Sequence, residues 1–347
     1  MTRQIKAVSL ISGGLDSLLA TKVVMDQGVH VEGINFFTGF CVEGHTHAIR
    51  KKDQSKPKRN NALWVAETLG IKLHIIDVID EYKDVLINPK HGYGANMNPC
   101  HDCKTFMVHK ALEWIEQHEY DFIITGEVMG QRPMSQRKDT MPVIARESGA
   151  GERLLRPLCA QHLPETLPEK ERWVKREELL SFHGRNRKPQ MALAEKYGFV
   201  DYAQPAGGCC FLTDENYSKK LVDLWDARGN KEYEMDDIML LKVGRHIRPA
   251  NNYKLIVARE EGEVNFMQGY RNRFISLKTT SHSGPLVLVD GEPDSNDLLL
   301  AARVTARYSK GKHADCVELE LRYPDGKSEQ ISVKPLSVSE IPDSWAV

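Results

Sequence analysis

The chain has 347 residues, of which 41% are hydrophobic and 27% charged, and its formal net charge is −1. This length allows two domains with separate cores, and the balanced charge means that only a local concentration of cations could indicate nucleic acid. The sequence contains no apolar run of about 18 residues and leads directly into a strand-like segment. We therefore expect no membrane span, no signal peptide and a cytoplasmic location.

The first predicted element is a buried strand at 7–11, followed by a glycine turn and a helix. The turn reads Ser12-Gly13-Gly14-Leu15-Asp16-Ser17. A glycine turn at a helix start directs backbone N–H groups and the positive end of the helix dipole at one point, which predicts a phosphate site. Asp16 indicates a magnesium-assisted role, with Ser12 and Ser17 as hydroxyl donors. The alternative is an ordinary helix cap on a tight turn.

This hexapeptide resembles the PP-loop of the ATP pyrophosphatases, which use ATP to adenylate a carbonyl oxygen and release pyrophosphate. The resemblance implies that one group of residues holds the ATP phosphates and Mg²⁺, namely Ser12, Gly13, Gly14, Asp16 and Ser17.

Further apolar runs at 29–37, 71–78 and 121–126 alternate with helical patterns. Such alternation predicts an α/β fold with a doubly wound parallel sheet, and a site at the carboxyl ends of its strands. The pattern changes to short strands and turns from about residue 235, so we predict a catalytic domain over 1–230 and a smaller α+β or mainly β domain over 231–347.

The cysteines are unevenly distributed. Their odd number favours thiols, metal ligands or redox chemistry over a disulfide framework. Cys100 and Cys103 form a C-x-x-C pair at a predicted helix start, where thiol pKa values are lowered. Cys209 and Cys210 follow two glycines, and since neighbouring side chains point in different directions, we expect only one to join the pair. We expect the others to pack as small apolar residues; they are Cys41, Cys159 and Cys316.

Three thiolates are too few for a Cys₄ zinc site, but they fit a 4Fe-4S cluster with one open iron, or a persulfide relay. Cluster-dependent tRNA thiolases of the wider superfamily resemble this arrangement, with two C-x-x-C cysteines and a distant third. The resemblance favours the cluster, held by Cys100, Cys103 and Cys209, with Cys210 as the substitute third ligand.

Two more segments sharpen the family resemblance. Residues 125–136 read T-G-E-x-x-G-Q with a later S-Q, and L-R-P-L follows at 155–158. Together they resemble the 4-thiouridine synthases, whereas the related 2-thiouridine synthases differ at the T-G-E stretch. The resemblance implies that Gly126 and Gln131 lie near the nucleotide. Arg156 has two interpretations, a salt bridge at a strand end or a phosphate contact.

Two basic stretches predict contact with RNA. Residues 170–188 hold seven Lys or Arg against three Glu, and residues 242–278 hold eight against three. The second stretch resembles the RNA-binding module of the NFACT ribosome-associated proteins. The candidate RNA-binding residues are Arg185, Arg187, Lys188, Arg245, His246 and Arg248. The alternatives are a solvated connection for the first stretch and a packing or dimerisation domain for the second, so a homodimer stays open.

These patterns favour an ATP-dependent tRNA sulfurtransferase that adenylates a uridine carbonyl and replaces its oxygen with sulfur, with 4-thiouridine preferred. The expected catalytic residues are Asp16, Cys100, Cys103 and Cys209. The expected partners are tRNA and a sulfur donor, either sulfide or a cysteine desulfurase. The alternatives are a 2-thiouridine synthase, a PP-loop enzyme that adenylates a small molecule, and a non-catalytic RNA-binding factor.

Overall fold

The computed structural model describes residues 3–41, 59–202 and 209–347. The chain forms two compact units, and the division falls between Thr213 and Asp214. This division lies before the boundary predicted after residue 230, because helix α8 (Glu215–Arg228) packs within the second unit. There the ammonium group of Lys220 donates to the carbonyls of Leu241, at 3.3 Å, and Gly244, at 3.1 Å.

The first unit contains a parallel sheet in the order β3-β2-β1-β4-β5. Its strands are β1 (Lys6–Leu10), β2 (His30–Phe37), β3 (Leu73–Asp77), β4 (Phe122–Thr125) and β5 (Leu154–Leu155). Its described α-helices are α1 (Leu15–Met25), α2 (Asn61–Leu69), α3 (Ile79–Ile87), α4 (Cys100–Gln117), α5 (Thr140–Glu147), α6 (Leu167–Lys170) and α7 (Lys188–Lys196). The predicted α/β class is confirmed.

Both faces of this sheet are covered, as the continuous apolar strands require. Phe122 and Ile124 of β4 face one core layer, where they meet α1, while Ile123 faces the other, where it meets α4 and α5. The strand order reverses at β1, which pairs with β2 on one side and β4 on the other. The segments that follow β1 and β4 therefore meet at the switch point, where sheets of this type bind ligands.

The second unit contains an antiparallel sheet in the order β11-β10-β8-β9-β7-β6. Its strands are β6 (Arg245–Ala250), β7 (Tyr253–Val257), β8 (Ile275–Thr279), β9 (Leu286–Gly291), β10 (Val317–Arg322) and β11 (Ser328–Val333). Its remaining described α-helices are α9 (Met235–Leu240), α10 (Glu261–Gln268) and α11 (Ser295–Arg307). The predicted smaller α+β domain is confirmed. Within the described ranges no helix combines the length and the apolar character needed to cross a membrane.

Candidate functional site

The glycine turn between β1 and α1 has the geometry of an anion cradle. Gly13 has a φ of 79°, a region that L side chains rarely adopt, and Gly14 caps α1 in an extended conformation. The Ser17 hydroxyl donates to the Gly14 carbonyl at 2.8 Å, and it lies 3.5 Å from the Ser12 hydroxyl. These contacts fix the turn so that the first amides of α1 face the switch point.

Gly126, the first residue after β4, is packed against this turn. A Cβ atom at position 126 would lie 2.5 Å from the carbonyl carbon of Asp16 and 2.6 Å from the nitrogen of Ser17. Only a residue without a side chain allows this approach, because both neighbouring atoms belong to the backbone. Gly126 therefore brings the segment after β4 into direct contact with the PP-loop.

The Asp16 carboxylate is the centre of a polar group that joins three distant parts of the first unit. Its Oδ2 accepts from Gln131 Nε2 at 2.6 Å and from Arg187 Nη2 at 3.2 Å. Gln190, which is 0% exposed, donates in turn to Gln131 Oε1 at 2.8 Å. Gln190 had no sequence signal, and Arg187 was predicted as an RNA contact rather than as a partner of Asp16.

Three buried atoms of this group have no hydrogen-bond partner among the described residues. They are Asp16 Oδ1, Arg187 Nε and Gln190 Oε1. Unpaired buried polar atoms are costly, so three in one place indicate a ligand that pairs with them. A free carboxylate oxygen suits Mg²⁺, and a guanidinium N–H suits a phosphate oxygen, so the residues present fit Mg²⁺-ATP.

A second group collects sulfur atoms at the start of α4. Cys100 is the first residue of α4, and Cys103 lies one turn further on. Cys210 forms an isolated β-bridge with Cys41, which brings in a cysteine that was predicted to be an ordinary packed residue. The two glycines before Cys209 lie outside the described residues.

The thiols of this group differ strongly in acidity. Burial raises the pKa of Cys103, and the sulfurs of Cys209, Cys100 and Cys41 raise it further, although Tyr82 donates a hydrogen bond to it. The predicted lowering by the helix start is therefore outweighed at Cys103.

The neighbouring side chains of Cys209 and Cys210 have opposite pKa shifts. A hydrogen bond between their side chains lowers the pKa of Cys209 to about 5, with help from Arg132 and Lys104, and raises that of Cys210. Within the described ranges no three cysteine sulfurs lie within 4.8 Å of one another. Tetrahedral zinc with bonds of about 2.3 Å would hold its sulfurs at about 3.8 Å. Thiolates of this kind are ligands for zinc and for iron–sulfur clusters alike.

The segment after β4, residues 126–136, reaches both groups. At its centre Gln131 donates to Asp16, and near its end Ser135, which is 2% exposed, has its hydroxyl 3.3 Å from the Cys100 sulfur. Between them, the positive charge of Arg132 acts on Cys209. One short loop therefore connects the predicted nucleotide site with the cysteines.

Arg156 forms a salt bridge rather than a phosphate contact. Its Nε lies 3.1 Å from Glu127 Oε2, and these side chains are 5% and 2% exposed. Arg156 also donates to the Met141 carbonyl at 3.0 Å. Burial alone would raise the pKa of Glu127, but the charges of Arg156 and Lys104 and the hydrogen bonds from Thr125 and Arg156 together outweigh it and hold that pKa below the usual value. The pair fixes the start of the 126–136 loop against the end of β5.

The predicted RNA-binding residues lie in different surroundings. Arg185 and Lys188 are exposed. Arg245 is exposed and stacks over the Tyr308 ring at 4.8 Å, while Arg248 is paired with Asp223 through two hydrogen bonds.

The prediction for His246 was wrong. This side chain is 1% exposed, and its Nε2 lies 3.0 Å from the Val243 carbonyl. Burial lowers its pKa well below the usual value, so the ring is neutral and Nε2 donates to the main chain. It therefore supports the start of β6 and does not reach RNA.

The second unit carries a groove of about 870 Å³ with a basic rim. Cationic side chains that line it include Lys278, Arg307, Lys310 and Lys312. Among the residues that the structure describes, none of these four forms an ion pair, in contrast to Arg259 beside them, which pairs with Glu263 at 2.6 Å. Sequence analysis missed the last three because they lie beyond the predicted basic stretch.

Comparison with family models matches each unit separately. Residues 2–165 match the model described as thiamine biosynthesis protein (ThiI). Residues 244–346 match the model described as NFACT protein RNA binding domain.

The curated relatives found include tRNA-specific 2-thiouridylases MnmA. The protein from Petrotoga mobilis is 30% identical over 36% of this chain and 35% of its own length. The protein from Symbiobacterium thermophilum is 26% identical over 63% of this chain and 55% of its own length. The chain thus spans about a third to about half of the curated relatives that it matches.

Two solved structures are similar at low identity. A predicted subunit of tRNA methyltransferase from Methanocaldococcus jannaschii has a TM-score of 0.34 at 14% identity, covering 67% of this chain and 91% of that one. NMN synthetase from Francisella tularensis has a TM-score of 0.32 at 15% identity, covering 68% and 82%.

Proposed function

We propose that this chain, whose residues 2–165 match the ThiI model and whose residues 244–346 match the NFACT RNA-binding model, is an ATP-dependent tRNA uridine sulfurtransferase. It activates a uridine carbonyl as its adenylate and replaces the oxygen with sulfur. The observation that carries this proposal is the 126–136 loop, which contacts the PP-loop carboxylate through Gln131 and the Cys100 sulfur through Ser135. Adenylation modifies the oxygen of the uridine carbonyl, and sulfur then attacks the carbon of the same carbonyl, so both sets of residues must serve one substrate.

Asp16 is proposed to hold Mg²⁺ through Oδ1, while the amides at the start of α1 bind the phosphates. Gln131 and Arg187 orient the carboxylate, and Arg187 Nε is available for a phosphate oxygen. The uridine oxygen attacks the α-phosphorus, forming an O–P bond as the bond to pyrophosphate breaks. The amides and the guanidinium stabilise charge on the phosphates. AMP then leaves far more readily than an unactivated carbonyl oxygen.

Sulfur delivery is assigned to the cysteine group. Cys100, Cys103 and Cys209 would hold a 4Fe-4S cluster, with Cys210 as the substitute third ligand. When bound, such a cluster with one open iron supplies sulfide to the activated carbon. Two features bear on the alternative persulfide relay: the pKa of Cys209 is lowered, and Cys210 stands beside it as a candidate resolving thiol. Iron and sulfide analysis of anaerobically purified protein distinguishes these two routes.

The second unit is proposed to bind the tRNA backbone through the basic groove. Lys278, Arg307, Lys310 and Lys312 provide unpaired cations of the kind that contact phosphates. This assignment replaces the buried His246 and the paired Arg248 as the main contacts. The ring position is left to the test: the 4-thiouridine-type motifs support position 4, and the named activity of the curated relatives supports position 2.

The test uses anaerobic protein, unmodified tRNA transcript, ATP, Mg²⁺ and sulfide. Pyrophosphate release measures adenylation, and mass spectrometry of digested tRNA identifies 4-thiouridine or 2-thiouridine. We expect Asp16→Asn to lose pyrophosphate release and thiolation together. Cys103→Ala should lose thiolation but keep tRNA-dependent pyrophosphate release, because the nucleotide site is intact.

Cys316→Ser is the matched control, since Cys316 is an exposed thiol in the second unit and contacts only the Ser332 hydroxyl among the described hydrogen bonds. It should keep both activities. If the parent protein forms neither thionucleoside but releases pyrophosphate with a small carboxylate or nucleobase, a PP-loop enzyme of small molecules replaces this proposal. If it binds tRNA and never consumes ATP, the non-catalytic alternative replaces it.

A further inference from the structure

Gln190 is a fully buried polar side chain on the inner face of α7. It is 0% exposed, and it lies one turn before Ala194, the other buried residue of this helix. Because α7 packs against α1, an apolar side chain is the ordinary occupant of such a position. Gln190 also lies beyond residues 2–165, the segment that matches the ThiI model. A glutamine here is costly unless its amide has partners that require it.

The hydrogen bonds around Asp16 have a fixed direction that extends to Gln190. A carboxylate only accepts hydrogen bonds, so Gln131 must present Nε2 to Asp16 Oδ2, which lies 2.6 Å away. The Oε1 atom of Gln131 then faces Gln190 and accepts from its Nε2 at 2.8 Å. A reversed Gln131 amide would place oxygen against oxygen at Asp16 and nitrogen against nitrogen at Gln190. Gln190 therefore holds Gln131 in the one orientation that donates to Asp16.

The second polar atom of Gln190 indicates that this side chain borders the ligand. With Nε2 bonded to Gln131, Oε1 is left as an acceptor, and it is buried without a hydrogen-bond partner among the described residues. Asp16 Oδ1 and Arg187 Nε share this condition. Unmade hydrogen bonds are costly in a closed core, so three such atoms on connected side chains belong to a site that is completed by binding.

The start of α7 reaches the same carboxylate oxygen by two routes. Arg187, which immediately precedes the helix, lies directly against Asp16 Oδ2 at 3.2 Å. Gln190 reaches the same atom through Gln131. Both routes end at Oδ2, and Oδ1 is left free for Mg²⁺, whose preferred ligands are oxygens.

We infer that Gln190 is a positioning residue of the nucleotide site: it fixes the Gln131 amide, which in turn fixes Asp16 with Oδ1 available to Mg²⁺. This inference rests on the proposed role of Asp16. It predicts an effect confined to the Mg²⁺-dependent part of ATP binding, because the backbone amides at the start of α1 bind phosphates whether or not Asp16 is oriented.

The test is calorimetric titration of ATP into the full chain, once with Mg²⁺ and once with EDTA. The ratio of the two affinities measures the contribution of Mg²⁺. Gln190→Met keeps the side-chain length and helix propensity but removes the donor, so it should lower this ratio about three- to tenfold. ATP affinity in EDTA should stay within about twofold of the parent's. Gln131→Met should lower the ratio at least as much, and adding Gln190→Met to it should have no further effect, because Gln190 acts through Gln131.

Gln161→Met is the matched control, because it removes an amide that donates to the Leu179 carbonyl at 2.6 Å and contacts no member of the Asp16 group among the described hydrogen bonds. Its affinity ratio should equal the parent's. If Gln190→Met does not fold, Gln190→Asn decides, since it keeps an amide that is one methylene too short to reach Gln131.

Three results would overturn the inference while leaving the nucleotide site in place. They are a parent-like ratio in a folded Gln190 variant, an equal loss of ATP affinity with and without Mg²⁺, and additive effects of the Gln190 and Gln131 substitutions. A parent protein that binds no ATP with Mg²⁺ would instead remove the proposed nucleotide site, and the inference with it.

Discussion

Replacement of Gly126 by alanine tests the contact that joins the two halves of the nucleotide site. The added Cβ would lie 2.5 Å from the Asp16 carbonyl carbon and 2.6 Å from both the Asp16 oxygen and the Ser17 nitrogen. Carbon atoms pack best at about 3.5–4.0 Å, so the PP-loop backbone and the 126–136 loop must separate by about 1 Å. Overpacking of this kind costs about 1–3 kcal/mol. For a unit of this size that lowers Tm by about 2–12 °C.

The matched control is Gly14→Ala. A Cβ at Gly14 would approach Ser12 Oγ at 3.6 Å, an ordinary contact, and its φ of −86° suits any residue. Calorimetric unfolding without ATP should therefore give Gly14→Ala a stability within about 1 kcal/mol of the parent's. Gly126→Ala should have a lower Tm than either. ATP binding should be lost in Gly126→Ala because the Asp16 carboxylate is displaced from Gln131. Equal melting of Gly126→Ala and the parent would refute the proposed close packing.

Three other predictions concern charged side chains. Arg156→Met leaves the Glu127 carboxylate buried without its guanidinium, so urea titration should show about 3–5 kcal/mol less stability. Burial lowers the pKa of Lys220 to about 8, against 10.5 unperturbed. Between pH 8 and 10.5 the unfolded chain therefore binds more protons than the folded chain, so the free energy of unfolding rises with pH. Over this range the parent's free energy of unfolding should increase by about 3 kcal/mol relative to that of Lys220→Met, with no relative change below pH 8. Lys310→Ala and Lys312→Ala should each reduce the slope of log affinity for tRNA against log salt by about 1.

Each of these three predictions has its own control variant. Replacing both Glu127 and Arg156 by leucine should recover much of the stability, because no unpaired charge remains. Lys219→Met, beside Lys220 but exposed, should show no pH-dependent gain. Lys327→Ala removes an exposed cation that is paired with Asp325, so its salt slope should match that of the parent. A full salt slope in Lys310→Ala and Lys312→Ala would place tRNA elsewhere.

The fold of the first unit could be predicted because each signal was local. Continuous apolar runs marked β1, β2 and β4, and the glycine turn marked the start of α1. The position of the domain division was harder to predict from the sequence, because helix α8 has the same amphipathic pattern whichever unit it packs against. Only tertiary contacts such as those of Lys220 assign it to the second unit.

The site was partly predictable for the same reason. The hexapeptide and the C-x-x-C pair are local patterns, whereas Gln190 and Cys41 reach their positions through the path of the chain. The basic pattern around His246 was misleading because composition does not distinguish an exposed cation from a buried neutral imidazole.

The order of the strands explains why the 126–136 loop occupies the centre of the site. β1 and β4 are neighbours in the sheet but are separated by more than a hundred residues in sequence. The loops that follow them meet at the switch point, where Gly126 permits contact and the salt bridge between Arg156 and Glu127 fixes the second loop. Gln131 and Ser135 of that loop then face Asp16 and Cys100 respectively. A shift in this loop would therefore disturb both groups at once. For that reason, a loss of adenylation in Gly126→Ala should be accompanied by a loss of thiolation, whereas Cys103→Ala should separate the two.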